Sequence, residues 1–205
     1  KYDSDFSPFC ALFLLFPLKG IGHFAIIRKS ANLDLHITLY VKEENVMDEL
    51  KMQNGALILE GGSLRSLFTS GVLDVFMEHN LYFSDVTGVS AGSLTGVNYV
   101  SRQPGRSAKL NIDYVNDKRY LGVNNLILHH EIFNFDFLFN DLSHSILPMD
   151  FDTFYKSPQH FTAVATNLRT GEAEYFEKSS CSDILAAIRA SSSMPMLSKA
   201  VKMNG

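Results

Sequence analysis

Residues 56–68 read ALILEGGSLRSLF, a short apolar run that passes directly into two glycines and then into a helical pattern. Ala56–Leu59 predicts a short strand. The apolar positions between Leu64 and Asn80 recur at the spacing of an amphipathic helix with one broad buried face. The segment therefore predicts a strand that turns sharply into a helix.

The same order of elements is repeated immediately downstream. Val86 and Val89 bracket a second short strand, and residues 91–102 favour a helix that ends at Pro104 and Gly105. Strand, helix, strand and helix joined by short turns predict a parallel sheet covered by helices. We therefore expect an α/β fold.

The later part of the chain adds a hairpin and a helix. Phe161–Ala165 and Ala173–Phe176 predict two strands joined by a tight turn. Ser182 is a candidate cap for a helix over Asp183–Ala190. The preceding residues 106–158 are rich in aromatic side chains and show no clear helical or strand period.

The beginning of the chain carries a short apolar segment. The run Phe9–Leu18 is shorter than the roughly 20 apolar residues that a membrane-spanning helix needs. Asp3 and Asp5 stand where a signal peptide carries basic residues. The sequence therefore favours a segment that is neither a membrane anchor nor a signal peptide.

The change of pattern near residue 53 predicts a domain boundary. Alternating apolar and polar residues over Leu33–Val41 predict a half-buried strand, and the polar residues 42–51 predict a linker or a short helix. We expect residues 1–52 to be an N-terminal extension and residues 53–205 to be the main domain.

The composition fits one globular domain. The chain has 205 residues, of which 46% are hydrophobic and 20% are charged, which argues against intrinsic disorder. Its net charge of −4 argues against binding to nucleic acid. Cys10 and Cys181 are too far apart in sequence to suggest a disulfide framework or a zinc module, so we expect a cytoplasmic location and no metal.

Residues 88–92, GVSAG, match the nucleophile-elbow pattern G-x-S-x-G. The serine of such an elbow, here Ser90, lies on a sharp strand-to-helix turn, where side chains two positions before or after it would collide. Gly88 and Gly92 remove that collision. Because the motif lies between a predicted strand and a predicted helix, we expect Ser90 to be a catalytic nucleophile.

The glycine loop at residues 60–65, EGGSLR, lies at the other strand-to-helix junction. Glycines let backbone N–H groups approach a ligand closely, and the helix that follows adds partial positive charge. Gly61, Gly62 and Ser63, with Arg65 nearby, therefore form a candidate oxyanion hole for acyl transfer. The loop matches neither of the glycine-rich nucleotide-binding patterns.

The two glycine motifs, in this order and this close together, make the chain resemble the patatin-like phospholipases. A looser similarity to bacterial members continues through residues 166–172 (TNLRTGE) and 187–195 (AIRASSSMP). The resemblance implies a three-layer α/β/α fold with a mostly parallel central sheet, and lipid acyl hydrolysis by a Ser–Asp dyad without histidine or cofactor. It also implies that Ser90 is the nucleophile and that the Gly61–Ser63 backbone, with Arg65, is the oxyanion site.

The chain departs from the family pattern in its glycine loop and in its general base. The family usually has glycine at the positions of Ser63 and Ser66. Its catalytic aspartate lies in a D-G-[GA] motif after the last block matched here, and the chain contains no Asp-Gly pair before it stops at Gly205. We therefore expect an N-terminal portion of the catalytic domain, with the C-terminal part and the aspartate beyond residue 205.

The acidic and histidine residues raise two other kinds of site, a Ser-Asp-His triad and a metal site. A Ser-Asp-His triad could use Asp136 or Asp141 with His144 or His160. A metal site at His129-His130-Glu131 is disfavoured, because adjacent side chains point to different sides of a helix or strand. We therefore expect these adjacent histidines to be structural or exposed.

Two further features bear on ligand binding. The cluster of Phe133, Phe135, Phe137 and Phe139 could line an acyl-chain pocket, although period-two phenylalanines are more often plain core. A non-catalytic protein that holds an anionic head group in the glycine loop is the alternative from another functional class, and Ser63 and Ser66 support it. Our main prediction is a lipid acyl hydrolase of phospholipase A or esterase type with transient contact to a membrane surface.

Overall fold

The centre of the protein is a mixed β-sheet. The structure is a computed structural model that describes residues 11–15, 26–28 and 51–203. The described strands are β1 (Ala11–Leu15), β2 (Ile26–Arg28), β3 (Lys51–Leu59), β4 (Leu81–Val89), β5 (His160–Thr166) and β6 (Ala173–Glu177). Their order across the sheet is β2-β1-β3-β4-β5-β6.

The three central strands β3, β4 and β5 are parallel to one another. Leu57 of β3 lies opposite Val86 of β4, and Val86 lies opposite Phe161 of β5. β6 pairs with β5 in the antiparallel sense. Over β3–β6 the predicted α/β fold with a mostly parallel sheet is therefore confirmed.

Helices flank this sheet. The described α-helices are α1 (Leu67–Glu78), α2 (Ala91–Val100), α3 (Arg106–Asp113), α4 (Val123–His129), α5 (Phe151–Lys156) and α6 (Ile184–Ser192). A 3₁₀ turn, Ser63–Ser66, precedes α1, and a π-helix, Phe137–Ile146, precedes α5. α2 packs against β4, α1 and α6, so it lies at the centre of the helical layer nearest the glycine motifs.

The described N-terminal residues contribute two strands that extend the sheet beyond β3, at the edge opposite β6. β1 lies within the apolar run Phe9–Leu18 and pairs antiparallel with β3, with Leu14 opposite Leu57. β2 pairs with β1 in turn. The strand predicted at Leu33–Val41 lies outside the described residues, and so does the linker or helix predicted at residues 42–51 except for Lys51, which begins β3. The domain boundary at residue 53 stays a prediction.

The helix predicted after the hairpin is present, but its predicted cap is wrong. The cap of α6 is Asp183, whose carboxylate accepts a hydrogen bond from the Ala186 N–H at 2.9 Å. Ser182 lies one residue too early to do this. Aspartate and serine both cap helices well, so propensity alone did not distinguish two neighbouring residues.

The hydroxyl of Tyr99 is a buried polar group that the strand-helix pattern did not reveal. Tyr99 of α2 is fully buried and stacks on Tyr82 of β4. Its hydroxyl donates to the Leu81 carbonyl at 2.8 Å and accepts from the Phe83 N–H at 3.0 Å. Because burial disfavours the phenolate, the pKa of Tyr99 is raised well above its usual value. The neutral hydroxyl therefore ties α2 to the start of β4.

We expect Tyr99→Phe to lower the free energy of unfolding by about 1–3 kcal/mol, because two backbone groups in a dry environment lose their hydrogen bonds to the hydroxyl. Urea denaturation gives the value. Tyr155→Phe is the matched control, since Tyr155 is 53% exposed, and it should change the free energy by less than about 0.5 kcal/mol. Equal unfolding midpoints for the two variants would contradict this role of the Tyr99 hydroxyl.

Candidate active site

Ser90 occupies the one-residue junction between β4 and α2. Its backbone has φ 53° and ψ −122°, a conformation that residues with side chains rarely adopt. The Ser90 N–H donates to the Ser191 hydroxyl at 2.7 Å. The Ser90 carbonyl accepts from the Ser93 N–H at 2.9 Å and from the Ser93 hydroxyl at 2.6 Å. These bonds on both sides of the residue hold it in its strained conformation.

The glycines on either side of Ser90 lie against neighbouring backbone. A Cβ atom built on Gly88 would lie 2.5 Å from the Ser93 nitrogen, and one built on Gly92 would lie 2.8 Å from the Glu60 carbonyl oxygen. Real Cβ atoms do not come this close to backbone atoms. Both positions therefore require glycine, for the steric reason that the G-x-S-x-G pattern suggested.

The glycine loop lies beside this elbow. β3 and β4 are parallel neighbours with Leu59 opposite Gly88, so the loops that follow them leave the same end of the sheet. A Cβ on Gly61 would lie 3.0 Å from the Ser90 Cβ and 3.7 Å from the Ser90 Oγ. The structure thus brings the backbone of the loop to the side chain of Ser90.

Ser63 carries the strain that a glycine would avoid. Its φ is 52°, in the left-handed region that favours glycine, and its side chain is exposed. It opens the 3₁₀ turn, in which the Arg65 N–H donates to the Gly62 carbonyl at 3.1 Å. The exposed Arg65 folds back over the loop, with its Nε 3.7 Å from the position that a Gly62 Cβ would take.

A cavity of about 570 Å³ extends from Ser90 along one side of α2. Ser90, Leu94 and Asn98 follow one another at a spacing of four residues, so they form one stripe of the helix that faces the cavity. Most of the lining is apolar. It includes Leu110, Phe135, Phe139, Phe151, Leu185 and Ile188.

The polar part of the lining contains two arginines. Within residues 51–203, no carboxylate and no histidine lines the cavity. Arg65 lies at the Ser90 end, whereas Arg106 is 6% exposed and bonds to Asn98 on the stripe of α2. The buried Ser192 hydroxyl also lines the cavity and has no hydrogen-bond partner among the described residues. The cavity can therefore offer hydrogen-bond donors, but no acid, to a ligand.

The phenylalanine cluster is divided between core and cavity. Phe133, Phe135 and Phe139 line the cavity, whereas Phe137 is buried beneath the Arg119 guanidinium. The period of two does not reflect a strand, because residues 135–146 are helical and Phe135 and Phe139 lie one turn apart. The interpretation as core therefore fits Phe137, the interpretation as pocket lining fits Phe133 and Phe139, and Phe135, which is 2% exposed, fits both.

The residues nominated for a Ser-Asp-His triad are engaged elsewhere. Asp136 accepts a hydrogen bond from Arg189 at 2.6 Å, and His144 stacks on Phe151 with ring centroids 4.8 Å apart. His160 lies opposite Asp85 of β4. Asp85 precedes Ser90 by five residues, which corresponds to about 16 Å along a strand. Asp141 is exposed and does not line the cavity. The structure does not bring these groups to Ser90.

Glu131, the acidic residue of the His129-His130-Glu131 run at which a metal site is disfavoured, takes part in an ion pair. Glu131 is 1% exposed, and its carboxylate lies 3.1 Å from Arg189. Among the described residues, no group of three or more side chains has the arrangement of a metal site. In the same part of the chain, no helix has the length and apolar character needed to cross a bilayer.

Two residues of the site were not identified from the sequence. Ser191 accepts from the Ser90 N–H and donates to the Val164 carbonyl, so it joins the elbow to the end of β5. The Ser191-Ser192-Ser193 run was the available signal, but it indicated only a helix end. Arg106 gave no signal, because an arginine beside a glycine in a polar turn is normally exposed.

Comparison with known proteins shows which family the chain belongs to. The family model for patatin-like phospholipases matches residues 57–205, which is more than half of the chain. The chain belongs to the patatin-like phospholipase family. The match begins within β3 and includes both the glycine loop and the elbow.

The chain is also similar to a curated bacterial protein. The chain is 29% identical over 144 residues to the uncharacterized protein YjjU of Escherichia coli strain K12. The aligned region is 68% of this chain and 40% of that protein, so the chain spans about two fifths of the length of this relative.

We expect Ser63→Gly to raise the free energy of unfolding by about 0.5–1 kcal/mol. The left-handed conformation costs a residue with a side chain about 1–2 kcal/mol, and the greater freedom of glycine in the unfolded chain offsets part of the gain. Urea denaturation measures the change. The control is Ser179→Gly, another exposed serine whose φ is not positive, which should lower the free energy slightly. A Ser63→Gly protein no more stable than the Ser179→Gly protein would show that residue 63 is not strained.

Proposed function

We propose that the protein is a lipid acyl hydrolase of phospholipase A or esterase type, with Ser90 as its nucleophile. The observation that carries this proposal is the close approach of the Gly61 backbone to the Ser90 side chain, which leaves little room for a side chain on residue 61, at a strained strand-to-helix turn. The adjoining apolar cavity is suited to an acyl chain. Membership of the patatin-like phospholipase family supports the same class of reaction.

In the proposed first half-reaction, the Ser90 oxygen adds to the ester carbonyl carbon. Its proton passes to an aspartate carboxylate, and the carbonyl electron pair moves to the oxygen to give a tetrahedral oxyanion. Backbone amides of Gly61, Gly62 and Ser63 are the proposed donors to this oxyanion, with the Arg65 charge nearby. Collapse of the oxyanion expels the alcohol, which takes the proton back from the aspartate.

In the second half-reaction, water attacks the acyl-enzyme at the same carbonyl carbon. The aspartate accepts a proton from the water and returns it to the Ser90 oxygen as the bond from that oxygen to the carbonyl carbon breaks, which releases the fatty acid and restores the Ser90 hydroxyl. We assign the aspartate to a D-G-[GA] motif that the 205 residues do not contain. The absence of carboxylates from the described lining of the cavity supports a base from another part of the protein.

The non-catalytic alternative keeps the fold and uses the glycine loop to hold an anionic head group. Ser63 and Ser66, where the family usually has glycine, are the observations that favour it. The strain at Ser90 opposes it, because a binding protein has no use for a serine held at φ 53°. A reagent that reacts only with an activated serine distinguishes the two functions.

We expect a fluorophosphonate to label the protein extended through its D-G-[GA] motif, and Ser90→Ala to abolish the labelling. The extended protein should also hydrolyse short-chain p-nitrophenyl esters. Turnover by the 205-residue chain should be lower by about 10³-fold or more, because a serine without a base is a poor nucleophile.

The matched control is Ser179→Ala, which removes an exposed serine that does not line the cavity and should leave both signals intact. An extended protein without Ser90-dependent labelling would favour the head-group-binding alternative. Full activity of the 205-residue chain would refute the assignment of the base.

A further inference from the structure

The end of the cavity remote from Ser90 contains a buried cation. Arg106 is 6% exposed, and within residues 51–203 no carboxylate forms an ion pair with it. All its observed acceptors are neutral oxygens. They are Asn98 Oδ1 (2.6 Å), the Leu147 carbonyl (2.8 Å), Ser143 Oγ (3.3 Å) and the Pro148 carbonyl (3.3 Å).

These acceptors satisfy most of the guanidinium hydrogens without neutralising the charge. Burial alone lowers the pKa of Arg106 to about 10, with no carboxylate acting against it. Arg189 shows the contrast, because it is less buried and yet contacts both Glu131 and Asp136. A buried charge without a counter-charge is costly and suggests that a ligand supplies the missing anion.

Two hydrogen-bond donors at this end have no described protein acceptor. A guanidinium has five N–H groups, and the four bonds above leave one on Nη1. The Ser107 hydroxyl accepts from Asn98 Nδ2 at 2.7 Å, and among the described residues no acceptor for its own hydrogen is found. Arg106 and Ser107 both line the cavity, so both can donate to a ligand there.

The distance from Ser90 limits which part of a substrate can reach this cation. Asn98 follows Ser90 by eight residues along α2, which corresponds to about 12 Å. In a glycerophospholipid the phosphate is about five bonds from the ester carbonyl, or roughly 6 Å at C–C bonds of about 1.5 Å. A head-group phosphate therefore does not reach Arg106 while the ester lies at Ser90. The far end of an extended acyl chain of roughly ten carbons does.

We propose that the acyl chain of the substrate ends in a carboxylate, which binds to Arg106 and Ser107 while the ester lies at Ser90. The substrate class is then an ester of a medium-chain dicarboxylic acid, held at one end by the reaction centre and at the other by the buried guanidinium. This assignment rests on the proposed function for the position of the ester, although the binding of the carboxylate can be measured without turnover.

The test measures binding to the full-length Ser90→Ala protein by isothermal titration calorimetry. The probes are methyl decanoate and the monomethyl ester of decanedioic acid, which differ only in the terminal carboxylate. We expect the diacid monoester to bind at least tenfold more tightly. Arg106→Gln should remove this difference, Arg106→Lys should retain part of it, and Ser107→Ala should reduce it a few-fold.

Chain length provides a readout that does not depend on changing Arg106. Monomethyl esters of diacids with six, ten and fourteen carbons should show the largest carboxylate preference near ten. 1-Decanoyl-glycerol 3-phosphate, whose phosphorus is six bonds from the ester carbonyl carbon and so too near to reach Arg106, should gain nothing from Arg106. Arg106-dependent tightening of this probe would assign the guanidinium to a head group and overturn the proposal.

Three further outcomes distinguish the carboxylate site from a purely structural role of Arg106 and from the proposed hydrolase function. Arg106→Gln could instead weaken the binding of methyl decanoate and of the decanedioic acid monomethyl ester equally and lower the free energy of unfolding. That result would make Arg106 purely structural and overturn the site. Carboxylate preference without Ser90-dependent hydrolysis by the full-length protein that retains Ser90 would refute the hydrolase function and retain the site. Ser90-dependent hydrolysis without any carboxylate preference would refute the carboxylate site and retain the hydrolase function.

Discussion

The backbone contact between the first turn of α2 and the end of β3 is the constraint on which the site depends. Gly92 lies so close to the carbonyls of Leu59 and Glu60 that no side chain fits between them. This contact fixes the start of α2 above β3 and forces the chain at Ser90 into a sharp turn. Because the glycine loop leaves β3 at the same point, the same contact places Gly61 beside Ser90. One steric requirement therefore produces both the strained serine and its neighbouring backbone.

The bonds around Ser90 explain how the strain persists. A residue with positive φ is retained only where its surroundings hold it more strongly than the strain costs, at about 1–3 kcal/mol. Ser93 binds the Ser90 carbonyl from within α2, and Ser191 binds the Ser90 N–H from α6. Ser191 also donates to Val164 at the end of β5. The elbow is thus fixed by the helix that follows it and by the neighbouring strand.

The sequence predicted those features that depend on neighbouring residues. The strand-glycine-helix order at residues 56–68 and the G-x-S-x-G pattern predicted β3, β4, α2 and the elbow because each is set by local spacing and by the size of glycine. Ser191 and Arg106 could not be found in this way. Ser191 reaches a residue 101 positions away, and Arg106 becomes buried only because residues 143–148 pack over it. The aromatic middle of the chain was not assigned for two reasons: residues 137–146 form a π-helix, which leaves no regular period of 3.6, and the three α-helices there have only six to eight residues each.

The charges along the cavity relate the two proposals to each other. The described lining contains Arg65 near Ser90 and Arg106 beyond Asn98, but no carboxylate. In the proposed reaction, a cation near Ser90 would stabilise the oxyanion and also the ionised form of the proposed aspartate, which must be ionised to accept a proton. The second cation lies too far away to act on that centre, since about 12 Å of helix separates Asn98 from Ser90. Its electrostatic effect is confined to the end of the bound chain, so it can select a substrate without contributing to the chemical step.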